Sequence, residues 1–85
     1  YPNPFNPDIN IEFSLQANDN VSILIYNAYG ELIKKILDNK YLYENTYKFN
    51  WDSKDNAGNQ VPSGVYFINL TINKGFSTRK VTLIK

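Results

Sequence analysis

From Ile9 onward the apolar residues of this chain recur at every second position rather than at the 3.6-residue period of a helix. Ile9, Ile11, Phe13 and Leu15 alternate with Asn10, Glu12 and Ser14, and a period of two places one set of side chains on a single face of a β-strand. Val21 to Tyr26 is a β-branched and aromatic run; Tyr47, Phe49 and Trp51 alternate with Lys48 and Asn50. Tyr66, Ile68, Leu70 and Ile72 alternate with Phe67, Asn69, Thr71 and Asn73, and a last strand reaches Ile84 with Val81 and Leu83 on one face. Asn27-Ala28-Tyr29-Gly30 reads as a hairpin turn, because an Asn side chain can bond the backbone where the turn begins and glycine accepts a positive φ at no steric cost. Asn73-Lys74-Gly75 closes a second hairpin. Leu32 to Leu37 allows a helical turn or a strand; its β-branched neighbours and the preceding turn favour the strand. Six or seven short strands with frequent turns and no convincing helix predict an all-β fold, an immunoglobulin-like β-sandwich of about seven antiparallel strands, as a single domain over residues 1–85.

Size and composition narrow what such a sandwich can do. At 85 residues and 9.8 kDa the chain supports one compact core and leaves little room for an enclosed substrate cavity. Nine Lys and Arg against eight Asp and Glu give a net charge of +1, too small and too scattered to predict binding to nucleic acid or to an acidic membrane surface. With no Cys and no His, disulfides, thiolate nucleophiles, imidazole bases and the usual zinc ligand sets are excluded. Apolar runs reach four residues, as in Val65 to Ile68, so no membrane span is expected. The opening Tyr1-Pro2-Asn3-Pro4 without a methionine suggests a module of a larger polypeptide.

Four groups of residues are candidates for function. Pro2-Asn3-Pro4-Phe5-Asn6-Pro7 is forced into extended geometry by its alternate prolines; Phe5 is expected to plug one end of the sandwich with Asn3 and Asn6 capping backbone, and a proline-rich ligand for an aromatic groove is the functional alternative. Trp51 to Gln60 gathers carboxylates and amides, which makes Asp52, Asp55 and Asn59 weak calcium candidates. Their spacing is poor, since the twelfth position counted from Asp52 is Ser63 rather than Glu, and a loop whose side chains bond their own backbone is the preferred reading. Asp52 and Asp55 are also the best carboxylate pair for acid-base work, but a polar turn gives too little desolvation to tune them. Tyr29, Tyr41 and Tyr43 are the least core-like aromatics and the candidates for a sugar-stacking face, whereas Trp51 and Tyr66 are assigned to the core. No cofactor and no catalytic residue are expected.

These segments, read in order, resemble a known family. Tyr1-Pro2-Asn3-Pro4-Phe5-Asn6-Pro7, then Val21 to Asn27 with Tyr26 and Gly30, then Trp51-Asp52 with Asp55 and Gly58, then Ser63-Gly64-Val65-Tyr66, and finally Lys80, Val81, Leu83, Ile84 and Lys85, resemble the type A C-terminal sorting domain of type IX secretion. They are equally similar to the Ig-like domain named after the flagellar hook-capping protein. The resemblance runs end to end, and departs at Ser53, where many members carry Gly after the Trp-Asp pair.

The resemblance implies a non-catalytic domain that closes a larger exported protein and directs that cargo through the type IX machinery to the surface or the outside of a diderm bacterium, where the domain is clipped off, with the cargo released or attached to surface lipopolysaccharide. The implied partners are the parent cargo, the outer-membrane machinery and, in a surface assembly, further copies of the chain. The residues implied to be recognised are Lys80, Val81, Leu83, Ile84 and Lys85 with the turns at Gly30 and Gly64. A structural or adhesive Ig-like module of a bacterial surface protein is the alternative, followed by a carbohydrate-binding accessory module.

Overall fold

A computed structural model describes residues 7–73 and 75–85, so the proline-alternating segment up to Asn6 lies outside the described residues. Six strands follow one another: β1 (Ile9–Ser14), β2 (Asp19–Asn27), β3 (Leu32–Leu42), β4 (Thr46–Trp51), β5 (Gly64–Ile72) and β6 (Gly75–Leu83). They form two antiparallel sheets, a two-stranded one in the order β1-β4 and a four-stranded one in the order β3-β2-β5-β6. Among the described residues the predicted sandwich is therefore present with six strands rather than seven.

Alternation decides which side of each sheet is buried. Ile11, Phe13 and Leu15 from the first segment meet Val21, Ile23 and Ile25 of β2, Tyr66 and Ile68 of β5 and Val81 and Leu83 of β6, with Trp51 and Val61 closing one end. Trp51, Val21, Ile23 and Ile25 have no exposed surface at all. On the smaller sheet Phe13 stacks between Tyr47 and Phe49, with ring centroids 5.6 and 6.0 Å away, so three aromatic rings cover the apolar faces opposite them.

Leu32 to Leu37 is strand, and it continues to Leu42 in an eleven-residue β3. Its alternation is obscured because the β2–β3 pairing shifts register between Val21 and Ile23, Ile23 and Leu24, and Ile25 and Tyr26. Each shift turns the following side chains to the other face. The long β5 and β6 pair in unbroken register from Gly64 opposite Leu83 to Ile72 opposite Gly75.

The two-stranded sheet is too narrow to cover the four-stranded one. β6 shows the consequence, since its residues from Gly75 to Lys80 are exposed and only Val81 and Leu83 are buried.

Candidate functional site at the motif end of the sandwich

The turn joining β2 to β3 is built by one side chain. Asn27 Oδ1 accepts hydrogen bonds from the amides of Tyr29 (2.9 Å) and Glu31 (3.0 Å), while Asn27 Nδ2 donates to the Glu31 carboxylate at 2.6 Å. The Gly30 amide donates to the Asn27 carbonyl at 3.1 Å, and Gly30 has a φ of 82°. An asparagine side chain standing in for a turn of backbone is what the sequence predicts here.

The loop from Asp52 to Ser63 packs beside this turn and is fixed in the same manner. Asp55 Oδ1 accepts from the amides of Ala57 (3.0 Å) and Asn59 (2.9 Å), and Asp52 Oδ1 from the amide of Lys54 (3.2 Å). Gly58, at φ 86°, donates its amide to the Asp55 carbonyl. Asp52 and Asp55 thus spend a carboxylate oxygen on loop backbone, Asn59 joins the loop through its own backbone amide and carbonyl, and among the described residues no three acidic side chains converge on a common point. Asn56 reaches outward: its amide donates to the Ile33 carbonyl at 3.1 Å and its Oδ1 accepts from the Lys35 amide at 3.0 Å. It stands in for a neighbouring strand on the free edge of β3, a contact between residues twenty-one apart that local patterning does not reveal.

Ser53 explains the glycine preference noted for its position. It is fully buried, with a φ of 64° in the left-handed region, where a Cβ is strained and glycine is not. Its hydroxyl donates to the Pro7 carbonyl and so ties the start of the described chain to the loop. The Ser53 carbonyl in turn accepts from the Val61 amide at 3.0 Å.

Below the loop, Trp51 and Tyr66 meet edge to face at 5.4 Å. The Trp51 indole donates to the Lys54 carbonyl (2.9 Å) and the Tyr66 hydroxyl to the Pro62 carbonyl (2.7 Å). Burial pushes the Tyr66 phenol above its ordinary pKa, because the phenolate would lose its hydration.

The C-terminal strand ends against this loop. The Lys85 amide donates to Ser63 Oγ at 3.0 Å, and Lys85 Nζ to Gln60 Oε1 at 3.0 Å and to the Val61 carbonyl. The five predicted recognition residues therefore divide. Val81 and Leu83 are in the core, Lys85 grips the loop, and Lys80 and Ile84 face solvent, Ile84 being 82% exposed. Gly64 opens β5 opposite Leu83 and lies in strand, not in the turn expected. An open cleft of about 260 Å³ lies between the two turns, lined by Asn27, Tyr29, Pro62, Ser63, Gly64 and Tyr66 among others. Tyr26, Asn27, Gly30, Trp51, Ser63, Gly64 and Tyr66 are thus gathered at one end with the last residues of the chain; Gln60 and Asn56 complete it, and the sequence carried no signal for either. Pro2, Asn3, Pro4, Phe5 and Asn6 fall outside the described residues.

The proposed stacking aromatics are not together. Tyr29 is at the motif end, while Tyr41 and Tyr43 stand near the far end with ring planes at 84° to each other, an arrangement that offers no coplanar platform for a sugar.

The sequence matches the family described as the secretion system C-terminal sorting domain over residues 1–85. No curated protein matches it significantly. Among solved structures it is similar to FlgD from P. aeruginosa, with TM-score 0.66 and 22% identity over 91% of this chain and 60% of that one. It is also similar to dimeric latent PorU from Porphyromonas gingivalis, with TM-score 0.66 and 20% identity over 96% of this chain and 8% of that one. At these identities the two structures speak for the fold, and this chain spans less than two thirds of either protein.

Proposed function

Because this chain belongs to the secretion system C-terminal sorting domain family, we propose that it is the address of a larger exported protein, read by the type IX machinery at the outer membrane of a diderm bacterium. The observation that carries this reading is the convergence of Asn27, Gly30, Ser63 and Gly64 with Lys80, Ile84 and Lys85 at one end of the sandwich. An address must look the same whatever cargo precedes it. An end whose turns are held by side chain-to-backbone bonds has that property, since its shape depends on no residue of another domain.

Within this reading the terminal residues have different tasks. Val81 and Leu83 anchor the last strand to the core, which leaves Lys80 and Ile84 presented outward and Lys85 holding the strand end against the loop. A partner then meets one aliphatic and one cationic side chain at fixed separation. The family is a sorting family, and the chemistry of the exported protein belongs to the cargo. Asp52 and Asp55, the best acid-base pair in the chain, serve to shape the loop.

A signal-peptide-bearing fluorescent reporter with and without residues 1–85, expressed in a host with the machinery and in its secretion-null mutant, tests this. Surface arrival that needs both the domain and the machinery is expected. Periplasmic retention of a reporter with a folded domain would replace sorting with a structural or adhesive role.

A further inference from the structure

The four-stranded sheet ends in two edges that are treated differently. β3 is interrupted by three register shifts and clipped by Asn56, devices that stop an edge from pairing with another chain. β6 has none of them: its sequence from Gly75 to Leu83 holds no proline, and its register with β5 is unbroken. β6 also borders a lateral opening. Gly75 and Ser77 face inward opposite Ile72 and Leu70, and these small residues leave a cleft of about 240 Å³ over Leu70 and Ile72. A second cleft of about 140 Å³ continues it past Ile11 and Ile68 to Arg79. Arg79 crosses the opening to donate to the Asn10 carbonyl of β1 at 3.2 Å.

Charge says what fits there. Glu12 lines the second cleft together with Arg79, but among the described residues the one ion pair within range is Lys35–Asp38, so neither Arg79 nor its neighbour Lys80 has a carboxylate partner at ion-pair distance. β6 carries these two cations and no acid. A second copy of β6 laid along the first in parallel register, or antiparallel about residues 79 and 80, would bring four cations together without a counter-charge on the strand, which opposes self-pairing in those registers.

We infer that the free edge of β6 and the cleft beside it form a docking groove for an extended acidic segment of a protein partner, which adds a strand to β6, places aliphatic side chains over Gly75 and Ser77, and sets carboxylates against Arg79 and Lys80. Main-chain hydrogen bonds along the edge supply affinity and the two cations supply the register. The clefts border β6 from Gly75 to Arg79, at the end of the hairpin away from the family motif, so the inference goes beyond the sorting reading and rests on it only for the partner being a protein.

The test uses the 85-residue chain and labelled nine-residue peptides that alternate Thr with Ile and end in two Asp, made in both chain directions, with two-Lys counterparts. Fluorescence anisotropy is expected to show saturable binding of an Asp peptide at least tenfold tighter than of its Lys counterpart. The double variant Arg79→Glu, Lys80→Glu should reverse that preference, an outcome that only a folded protein can give. Ser77→Leu, which fills the cleft, should weaken binding about tenfold with an unchanged unfolding midpoint. Amide shift perturbations should follow β6. Absence of saturable binding, a preference that survives charge reversal, perturbations confined to another face, or a concentration-dependent dimer through β6 would each overturn the inference. Reporter delivery is read separately: delivery without peptide binding removes this groove and leaves sorting intact, whereas peptide binding without delivery does the reverse.

Discussion

The β5–β6 hairpin has two ends made from one continuous register, yet they differ in everything except pairing. Where Gly64 faces Leu83, the strands lie over Trp51, Tyr66 and Val61 and are tied by Tyr66 to Pro62 and by Lys85 to Ser63 and Gln60. Where Ile72 faces Gly75, the strands outrun the smaller sheet, Leu70 and Ile72 are only half-buried, and Phe76 is 73% exposed. Pairing alone therefore does not make a rigid surface. Rigidity comes from burial on one face together with bonds from side chains to the loops, and the residues of the family motif supply both at one end only.

The contrast can be broken most directly at Trp51. Trp51→Ala removes the largest fully buried side chain and should cost about 3 to 5 kcal/mol, comparable with the whole stability of so small a domain. Urea denaturation measures this, and an unchanged midpoint would remove Trp51 from the foundation of the motif end. Ser53→Ala leaves the Pro7 carbonyl without its hydroxyl partner and should cost about 1 to 2 kcal/mol. Ser53→Gly loses the same bond but relieves the left-handed backbone, so it should be more stable than the alanine variant by about 1 kcal/mol. Equal midpoints for the two variants would contradict the backbone account of this position.

Alkaline titration sharpens the comparison further. Tyr66 has a folded-state pKa raised by burial, so its contribution to stability is complete below the unfolded value of about 10 and is lost as pH rises toward and through the folded value. The stability advantage of the native chain over Tyr66→Phe, about 1 kcal/mol from the Pro62 bond at neutral pH, should narrow above about pH 10. A gap that widens there would reverse the sign of the argument. At the open end, Phe76→Ser should change stability by less than about 0.5 kcal/mol. A loss of several times that size would mean that the far end of the hairpin has a packing partner.

How much of this was legible in the sequence depends on whether the controlling interaction was local. β1, β4 and β5 follow from alternation, β2 from its β-branched and aromatic run, β6 from Val81 and Leu83 sharing a face after a turn, and the Asn27–Gly30 turn from the chemistry of its two end residues. Trp51 and Tyr66 were legible as core from the alternation of their strands, whereas the acceptors of their polar atoms, the Lys54 carbonyl after Trp51 and the Pro62 carbonyl before Tyr66, are visible only in the structure. β3 was legible only as far as Leu37, since three register shifts destroy the pattern that reveals a strand. Gly64 suggested a turn, although the chain there is already paired with Leu83. The Asn56 clip and the grip of Lys85 on Gln60 and Val61 join residues more than twenty positions apart, and no periodicity encodes them. Ser53 lay between these cases. A position where relatives prefer glycine points to a positive φ, and the structure supplies the buried hydroxyl bond that lets serine occupy it.

The central claim is that the motif end is what the secretion machinery reads. Surface delivery of the reporter should be compared for the native domain, for Ile84→Asp with Lys85→Ala at the motif end, and for Phe76→Ser at the open end, with folding of each checked by near-ultraviolet circular dichroism. The account predicts that the motif-end variant folds and stays in the periplasm while the open-end variant reaches the surface like the native domain. Normal delivery of the folded motif-end variant, or retention of the open-end one alone, would contradict it.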